Sequence, residues 1–376
     1  METMALALYR KYRPRLLSEL MGQEEVVEIL RNAAKSDKIA HAYLFYGPRG
    51  TGKTTTARLV AKLANCETRA KDPKFKSRGE PCNKCRACLE IDAGRALDVV
   101  EIDAASNRGI DEIRNLKEGI RLAPTSSLYK VYIIDEAHQL TKEASNALLK
   151  TLEEPPAHAI FILATTEFDK LPPTIVSRTQ RFRFNRLPVI LIVKELKKIA
   201  EAEKFKIDEP ALELIASAAE GSFRDAESLL DQVMSLGESV KAADVIKILG
   251  KVDFQKTSDL AGRLIEGDLE KSIDYLEKLN EEGYNIVQLA KDLINYFRRL
   301  LALQADSGLE KVYANEFTEE ELKTIKAQSQ AIVFEKHVAL VKSLIEAYSQ
   351  MRYSPFPVTP LELAIIENLY KPAGKA

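Results

Sequence analysis

Gly47-Pro48-Arg49-Gly50-Thr51-Gly52-Lys53-Thr54 decides the fold of this chain, because it matches the phosphate-loop pattern G-x-x-x-x-G-K-[ST] at every fixed position. The apolar run 42–46 before it predicts a buried strand, and the periodicity after it predicts an amphipathic helix. In this context successive backbone N–H groups and the helix N-terminus bind a phosphate. We expect Lys53 to reach the β- and γ-phosphates and Thr54 to hold Mg²⁺. The alternative is a glycine-rich turn that happens to contain a lysine.

The size and charge of the chain limit its class. Its 376 residues are too many for one ordinary core, so two or three domains are expected. A net charge of −1 excludes a basic surface over the whole molecule, so any nucleic-acid contact must be local or built from several chains. Arg10, Lys11 and Arg13 interrupt the short apolar start, which argues against a signal peptide. The apolar runs are too short to span a bilayer, so we expect a soluble, cytoplasmic protein with no membrane partner.

The cysteines are clustered: all four lie within 66–88, at Cys66, Cys82, Cys85 and Cys88. In a reducing cytosol this spacing favours a metal over disulfides, and four thiolates suit tetrahedral Zn²⁺. Four protein ligands leave no open position, so a structural site is expected. The segment between the first two cysteines, 67–81, is so polar that it predicts a loop fastened by the metal. The alternatives are an iron–sulfur cluster and unligated thiols.

Alternating apolar strands and amphipathic helices in the first 185 residues predict a parallel α/β sheet. The predicted strands are 42–46, 98–103, 130–134, 159–165 and 181–184, and the predicted helices between them include 24–34, 54–64, 110–120 and 142–152. After Pro188 only helical periodicity continues. These patterns predict an α/β domain at 1–186 that contains the cysteine insert, a small helical domain at 187–250 and an all-α domain at 251–376.

Further candidate residues follow two predicted core strands. The third strand ends in Asp135 and Glu136, at the edge of the sheet where ligands bind. Beside a phosphate loop, Asp135 suits Mg²⁺ and Glu136 suits polarisation of an attacking water; alone, the pair would more often be an acidic helix cap. The fourth strand ends in Thr165, whose hydroxyl suits contact with that water or the γ-phosphate, although threonine is also a good strand former. His138 is expected to be packed or solvated rather than catalytic.

Two arginines lie where they could meet a phosphate. Arg178 is on a loop after the fourth strand. In an ATPase, an arginine at this position can be a finger that stabilises transition-state charge in a neighbour's site. An isolated arginine would more often be a surface salt-bridge partner. Arg224 lies in the first turn of a predicted helix, which Ser222 and Asp225 begin as a capping box. A cation there opposes the helix dipole and favours an anionic partner, for which ATP is the candidate. The alternative is an exposed arginine without a partner.

These motifs in this order resemble those of the AAA+ ATPases, and within them the clamp-loader ATPases of bacterial DNA polymerase III. The matching segments are 9–14, 22–23, 47–54, 101–106, 146–156, 163–166 and 221–225, with a cysteine insert typical of the same group. The motif-level resemblance covers about residues 9–250, and residues 251–376 match mainly in length and helicity. It implies an α/β AAA+ module with a RecA-like parallel sheet and a helical lid, followed by an all-α collar for oligomerisation.

The resemblance implies a role for each matching position. The implied catalytic residues are Lys53, Asp135, Glu136, Thr165 (sensor 1), Arg178 (the finger) and Arg224 (sensor 2). The implied ATP- and Mg²⁺-binding residues are Tyr9, Arg13, Pro14, Gly47, Pro48, Arg49, Gly50, Thr51, Gly52, Lys53, Thr54, Thr55 and Arg224. The resemblance also implies Zn²⁺ at the four cysteines. Thr179 replaces the cysteine of the family's Ser-Arg-Cys motif, which leaves the pose of Arg178 open.

The resemblance further implies an ATP-driven motor that opens a sliding clamp and loads it onto primer–template DNA. The implied partners are the delta and delta-prime subunits, the beta sliding clamp and further copies of this chain in a heteropentameric ring of the replisome. Asn107 and Arg108 are candidates for the DNA-contacting surface, although an ordinary solvated helix start fits them almost as well. The longest family members carry a C-terminal extension that these residues do not include, so a short form or a trimmed chain is expected.

Two other functions stay open on the sequence alone. One is another AAA+ motor, such as a branch-migration helicase; the cysteine insert and the helical third domain count against it, since such helicases usually end in a winged helix-turn-helix. The other is a non-enzymatic subunit of the same ring. Such subunits typically carry a degraded phosphate loop, whereas Lys53, Thr54 and the Asp135–Glu136 pair are intact here.

Overall fold

The computed structural model describes residues 7–106, 119–120, 122–237, 239–249, 254–313, 317, 319–351 and 354–370. The chain divides into two compact units, Met1–Val245 and Ile246–Ala376. Two expectations fall outside the described residues: Asn107 and Arg108, and most of the helix predicted at 110–120, of which 119–120 are described and helical. The domain boundaries at 186 and 250 stay a prediction.

A parallel sheet forms the centre of the first unit. Within the described residues its strands are β1 (Ala42–Tyr46), β2 (Val99–Asp103), β3 (Lys130–Asp135), β4 (Ala159–Thr165) and β5 (Gln180–Arg183). Their order is β2-β3-β4-β1-β5, and every neighbouring pair is parallel. All five predicted strands are confirmed to within one residue at each end. Because all five strands run in the same direction, the loop after β1 leaves the sheet at the carboxyl ends of the strands, where ligands bind in such folds.

Helices cover this sheet and continue beyond it. From residue 7 to residue 249 the described α-helices are α1 (Leu8–Lys11), α2 (Glu24–Ser36), α3 (Lys53–Asn65), α4 (Glu67–Lys71), α5 (Pro73–Lys76), α6 (Arg86–Asp92), α7 (Lys142–Glu153), α8 (Pro173–Val176), α9 (Val189–Ala202), α10 (Glu209–Ala218), α11 (Phe223–Met234) and α12 (Ala242–Leu249). A short pair of strands, β6 (Lys206–Ile207) and β7 (Ser239–Val240), lies among the last of them. The predicted helices at 24–34, 54–64 and 142–152 are confirmed.

β1 shows why the sheet is buried on both faces. Tyr43 and Phe45 lie in one apolar cluster with residues of α3, whereas Ala42 and Leu44 lie in a second cluster with residues of α7. All four side chains are at most 1% exposed. Such burial is typical of a parallel strand between two helical layers, and it fixes the point from which the phosphate loop begins.

The second unit is helical in its described residues. Its α-helices are α13 (Phe254–Glu266), α14 (Leu269–Glu281), α15 (Ile286–Ala305), α16 (Glu310–Tyr313), α17 (Glu319–Ala331), α18 (Phe334–Met351) and α19 (Val358–Leu369). They enclose one apolar cluster, in which Phe297 and Leu300 of α15 are fully buried. The predicted architecture, an α/β domain built on a parallel sheet with a helical region after it, is confirmed. Across the described residues, every helix lacks the length or the apolar character needed to cross a bilayer.

The segment between the first two cysteines contains helices, so the loop predicted at 67–81 is wrong. α4 and α5 occupy much of it. The Asp72 side chain caps α5, and Pro73 occupies the first helical position, where its missing N–H costs no hydrogen bond. Arg69 of α4 is only 5% exposed and donates to two backbone carbonyls. Local capping and one buried arginine order a segment that has almost no apolar core of its own.

Asp98 anchors the chain at the entry to β2. Its residue is 1% exposed, and its carboxylate accepts hydrogen bonds from the backbone N–H groups of Thr125, Ser126 and Ser127 at 2.8–2.9 Å. Burial alone would raise the pKa of Asp98, but these donors hold that pKa below its ordinary value of 3.8. The carboxylate therefore stabilises the folded chain in its ionised form.

We predict that Asp98→Asn lowers the free energy of unfolding at pH 7 by about 1–3 kcal/mol, because the amide loses these charge-assisted bonds. The folded protein binds this proton less tightly than the unfolded chain. The contribution is therefore complete well above pH 3.8 and is lost as the pH falls below 3.8 through the lowered folded pKa. Urea unfolding of both proteins at pH 7 and pH 3 measures the difference. An equal difference at the two pH values would contradict this role.

Candidate nucleotide-binding site

A cavity of about 480 Å³ lies between the phosphate loop, the N-terminal segment around 9–21 and the start of α11. Most of the predicted nucleotide-binding and catalytic residues line it: Tyr9, Arg13, Pro14, Arg49, Gly50, Thr51, Gly52, Lys53, Thr54, Thr55, Asp135, Glu136 and Arg224. Gly47 and Pro48 line a neighbouring pocket. Thr165 and Arg178 line neither.

At two positions of the phosphate loop, the backbone conformation and a close neighbour leave room only for glycine. Gly50 has φ +72°, and a Cβ there would lie 1.8 Å from Ser222 Oγ. A Cβ at Gly47 would lie 2.2 Å from the carbonyl oxygen of Phe184. The N–H of Phe223 donates to the Gly50 carbonyl at 3.1 Å. The loop is therefore in direct contact with the first residues of α11.

Lys53 is held at the centre of the loop. Its Nζ donates to the carbonyl oxygens of Gly47 at 2.8 Å and Pro48 at 2.7 Å. The residue is 6% exposed, and burial lowers the pKa of its ammonium group against the opposing charges of Glu136 and Asp135. The arrangement places a cation at the phosphate loop, where it can meet the charge of a phosphate.

Thr54 and Asp135 form a candidate Mg²⁺ site. Thr54 Oγ1 donates to Asp135 Oδ2 at 2.7 Å, and Asp135 Oδ1 accepts from the N–H of Glu136 at 2.9 Å. A hydroxyl and a carboxylate are the hard oxygen ligands that Mg²⁺ takes beside phosphates and water. They meet because β3 and β1 end at the same edge of the parallel sheet.

Glu136 is turned towards the end of β4. Its φ of +47° lies in the left-handed region, which is strained for a residue with a side chain. Its Oε2 accepts from Thr166 Oγ1 at 2.9 Å, so this hydroxyl orients the carboxylate. Sequence reasoning missed Thr166 because it considered the adjacent Thr165. The available signal was the pair of threonines, since successive strand residues point in opposite directions.

Thr165 is linked to the acidic pair through His138. It is fully buried, and its Oγ1 lies 2.9 Å from His138 Nδ1. The His138 side chain is 4% exposed, and the same nitrogen lies 3.5 Å from Glu136 Oε2. Of the two expectations for His138, packing is right and solvation is wrong. A direct role of Thr165 at the γ-phosphate stays a prediction.

Arg224 is exposed on the cavity wall, with its guanidinium 4.8 Å from the centre of the Tyr9 ring. The alternative expectation, an exposed arginine without a partner, is therefore wrong, because the Tyr9 ring is a partner of Arg224. The capping box predicted before it is only half formed. Ser222 Oγ accepts from the N–H of Asp225 at 3.3 Å, but the N–H of Ser222 donates to the Ala219 carbonyl instead of to the Asp225 side chain.

Arg178 lies at the amino-terminal ends of the strands, opposite the ends that carry the phosphate loop. It precedes β5 and, with Ala42 at the start of β1, lines a pocket at the amino ends of these strands. Its Nη2 donates to Glu153 Oε1 at 2.6 Å, and its side chain is 33% exposed. The five residues of β1, at a rise of about 3.3 Å each, separate it by roughly 16 Å from the phosphate loop. Arg178 therefore does not reach the cavity of its own chain.

The four cysteines come together as predicted. Their Sγ atoms all lie within 4.8 Å of one another, and the Sγ atoms of Cys82 and Cys88 are 4.0 Å apart. A tetrahedral Zn²⁺ with Zn–S bonds of about 2.3 Å requires sulfur–sulfur distances of about 3.8 Å. None of the four forms a disulfide, and a hydrogen bond from Cys88 lowers the pKa of Cys66 to about 5. The donor set and spacing fit zinc.

The cysteine insert is also attached to the wall of the cavity. Glu80 accepts from the N–H groups of Leu17 at 2.7 Å and Ser18 at 3.0 Å. Asn83 Nδ2 donates at 3.0 Å to the carbonyl oxygen of Arg15, which lines the cavity. No sequence pattern signals these bonds, because they join side chains to backbone atoms more than 60 positions away.

Three family models match successive parts of the chain. Residues 22–188 match "DNA polymerase III, delta subunit", residues 191–239 match "DNA polymerase III clamp loader subunit, ATPase lid domain", and residues 240–374 match "DNA polymerase III subunits gamma and tau domain III". Among solved structures, the Holliday junction branch migration motor RuvB of Thermotoga maritima is 19% identical, with a TM-score of 0.46 over 68% of this chain and 79% of that chain.

Two curated relatives are the tau subunits of DNA polymerase III from Bacillus subtilis and Escherichia coli. The first is 43% identical over 96% of this chain, and the second is 40% identical over 79%. The matches span 62% and 45% of the relatives' own lengths. The chain belongs to the gamma/tau family of DNA polymerase III clamp-loader subunits.

Proposed function

We propose that this chain is the ATP-hydrolysing motor of a clamp loader, which opens the beta sliding clamp and loads it onto primer–template DNA during replication. The observation that carries the proposal is the assembly of Lys53, Thr54, Asp135 and Glu136 around one cavity. A subunit without catalysis has no need of this complete set, which argues against a non-enzymatic role. Membership of the clamp-loader family argues against a branch-migration helicase.

The residues of the cavity divide the work of hydrolysis. Lys53 and the loop N–H groups bind the β- and γ-phosphates of ATP, while Thr54 and Asp135 hold Mg²⁺. Glu136, oriented by Thr166, polarises the attacking water. Arg224, exposed on the wall, binds the γ-phosphate and so links the position of α11 to the nucleotide.

Arg178 acts as a finger in the cavity of a neighbouring subunit. Its distance from its own cavity and its partly exposed side chain support a role across an interface. Its bond to Glu153 is a partly exposed ion pair of the kind that contributes at most about 1 kcal/mol, so it is readily exchanged for a phosphate. We place further copies of this chain, with the delta and delta-prime subunits, in a heteropentameric ring, where Asn107 and Arg108 are proposed to contact DNA.

The proposed function predicts a clamp-dependent ATPase. Steady-state ATP hydrolysis by this chain, mixed with delta and delta-prime subunits, is expected to rise strongly on addition of sliding clamp and primed DNA. Lys53→Ala is expected to abolish hydrolysis, and Arg178→Ala is expected to lower it by about a thousandfold or more, as loss of a finger does.

Arg95→Ala is the matched control, because Arg95 is an exposed arginine that lines neither the cavity nor the Arg178 pocket. It is expected to hydrolyse ATP at the unaltered rate. A rate that is indifferent to clamp and DNA would contradict clamp loading. An unaltered rate in Arg178→Ala would contradict the finger.

Zn²⁺ at the four cysteines is predicted to support nucleotide binding indirectly. Cys82→Ser is expected to remove the metal and to weaken ATP binding several-fold, because Glu80 and Asn83 then no longer hold residues 15–18. Metal content by mass spectrometry and ATP affinity by calorimetry measure both effects, with the exposed Lys84→Ala in the same insert as control. Wild-type chain without zinc would contradict the metal site, and full ATP affinity in the metal-free variant would contradict the coupling.

A further inference from the structure

Glu227 is a buried carboxyl on the cavity wall that the proposed hydrolysis does not use. It lies on α11 one turn after Arg224, and its residue is 4% exposed. Its Oε1 is buried and makes no hydrogen bond with any residue in the described part of the chain. Buried oxygens without a donor are rare, because each has lost its water without compensation. A group on the ligand is the natural donor.

The surroundings of Glu227 favour its neutral form. Burial raises the pKa of its carboxyl to about 8, Arg13 from the N-terminal segment opposes this rise, and Glu195 from α9 adds to it. No ion pair joins Arg13 and Glu227 among the described side chains. A neutral carboxyl presents one donor and one acceptor side by side, as a glutamine side chain does.

The position of Glu227 corresponds to the part of a nucleotide beyond its phosphates. The N–H of Phe223 is bonded to the phosphate loop at Gly50, so the first turn of α11 is at the phosphate end of the cavity. Glu227 is four residues further on, about 6 Å along the helix axis. There it shares the cavity with Arg13 and Pro14.

We propose that Glu227 reads the base of the bound nucleotide. Its carboxyl accepts a hydrogen bond from the N6 amino group of adenine and donates one to N7, the pairing that a glutamine makes with this edge. A 6-oxopurine places a carbonyl oxygen where adenine has its amino group, so Oε1 stays unpaired and faces another acceptor. Glu227 thereby selects ATP over inosine and guanosine triphosphates. This inference rests on the proposed ATP site and adds its base specificity.

The test compares the affinities of ATP, inosine triphosphate and deoxyadenosine triphosphate by calorimetry. For the wild-type chain we expect ATP to bind at least about tenfold more tightly than inosine triphosphate, since a polar site rejects a ligand that leaves its groups unpaired. Glu227→Leu is expected to weaken ATP binding about tenfold and to bring that ratio close to one. Glu227→Gln keeps the donor and acceptor and is expected to keep the preference.

Glu213→Leu is the matched control, because Glu213 is an exposed glutamate on α10 and does not line the cavity. Glu227→Leu removes an unpaired buried oxygen, so we expect this variant to fold and to have a higher melting temperature than the wild-type chain. An unchanged ATP-to-inosine ratio in Glu227→Leu would overturn the inference while ATP binding itself persists. A changed ratio of ATP to its deoxy form alone would assign Glu227 to the ribose and overturn it too. Absence of ATP binding by the wild-type chain would instead overturn the proposed function.

Discussion

The contact between the phosphate loop and the start of α11 is the constraint on which the site depends. Gly50 approaches Ser222 so closely that no side chain fits between them, and the N–H of Phe223 is bonded to the Gly50 carbonyl. This contact sets the distance between the loop, which is the proposed phosphate site, and the helix that carries Arg224 and Glu227. Under the proposed function, a nucleotide that bridges the two ties the position of α11 to its own presence, because a ligand shifts a conformational equilibrium towards the state that it binds better.

The parallel sheet adds a second constraint, because the carboxyl ends of its strands lie about one strand length from their amino ends. The carboxyl edge carries the loop after β1 and the Asp135–Glu136 pair, whereas Arg178 lies before β5 at the amino edge. One chain thus holds the candidate nucleotide cavity and, at the amino ends of the strands, an arginine that does not reach this cavity. Under the proposed function, such a division makes hydrolysis depend on assembly, so that clamp and DNA would control it through the fit between neighbouring subunits.

Sequence reasoning predicted what is encoded locally. The strand, loop and helix around 42–65, the acidic pair at the end of β3 and the cysteine spacing each lie within a short stretch, so their geometry follows from known patterns. Sequence reasoning failed where residues distant in the chain meet, or where one residue type suits two environments. Thr166 was passed over beside Thr165. Glu227 lies on the buried face of α11 with Leu230, but a glutamate is more often exposed and so drew no prediction. The attachment of Glu80 to the N-terminal segment joins separate parts of the chain. The helices within 67–81 depend on a cap and on buried Arg69, which composition alone does not reveal.

The most direct test of this account is complementation between two inactive variants. Lys53→Ala lacks the proposed phosphate-binding cation, and Arg178→Ala lacks the proposed finger. When the two variants are mixed with delta and delta-prime subunits, clamp and primed DNA, some interfaces pair an intact cavity with an intact finger. The account predicts that ATP hydrolysis reappears in the mixture and is absent from either variant alone. A mixture as inactive as its components would contradict a site shared between subunits.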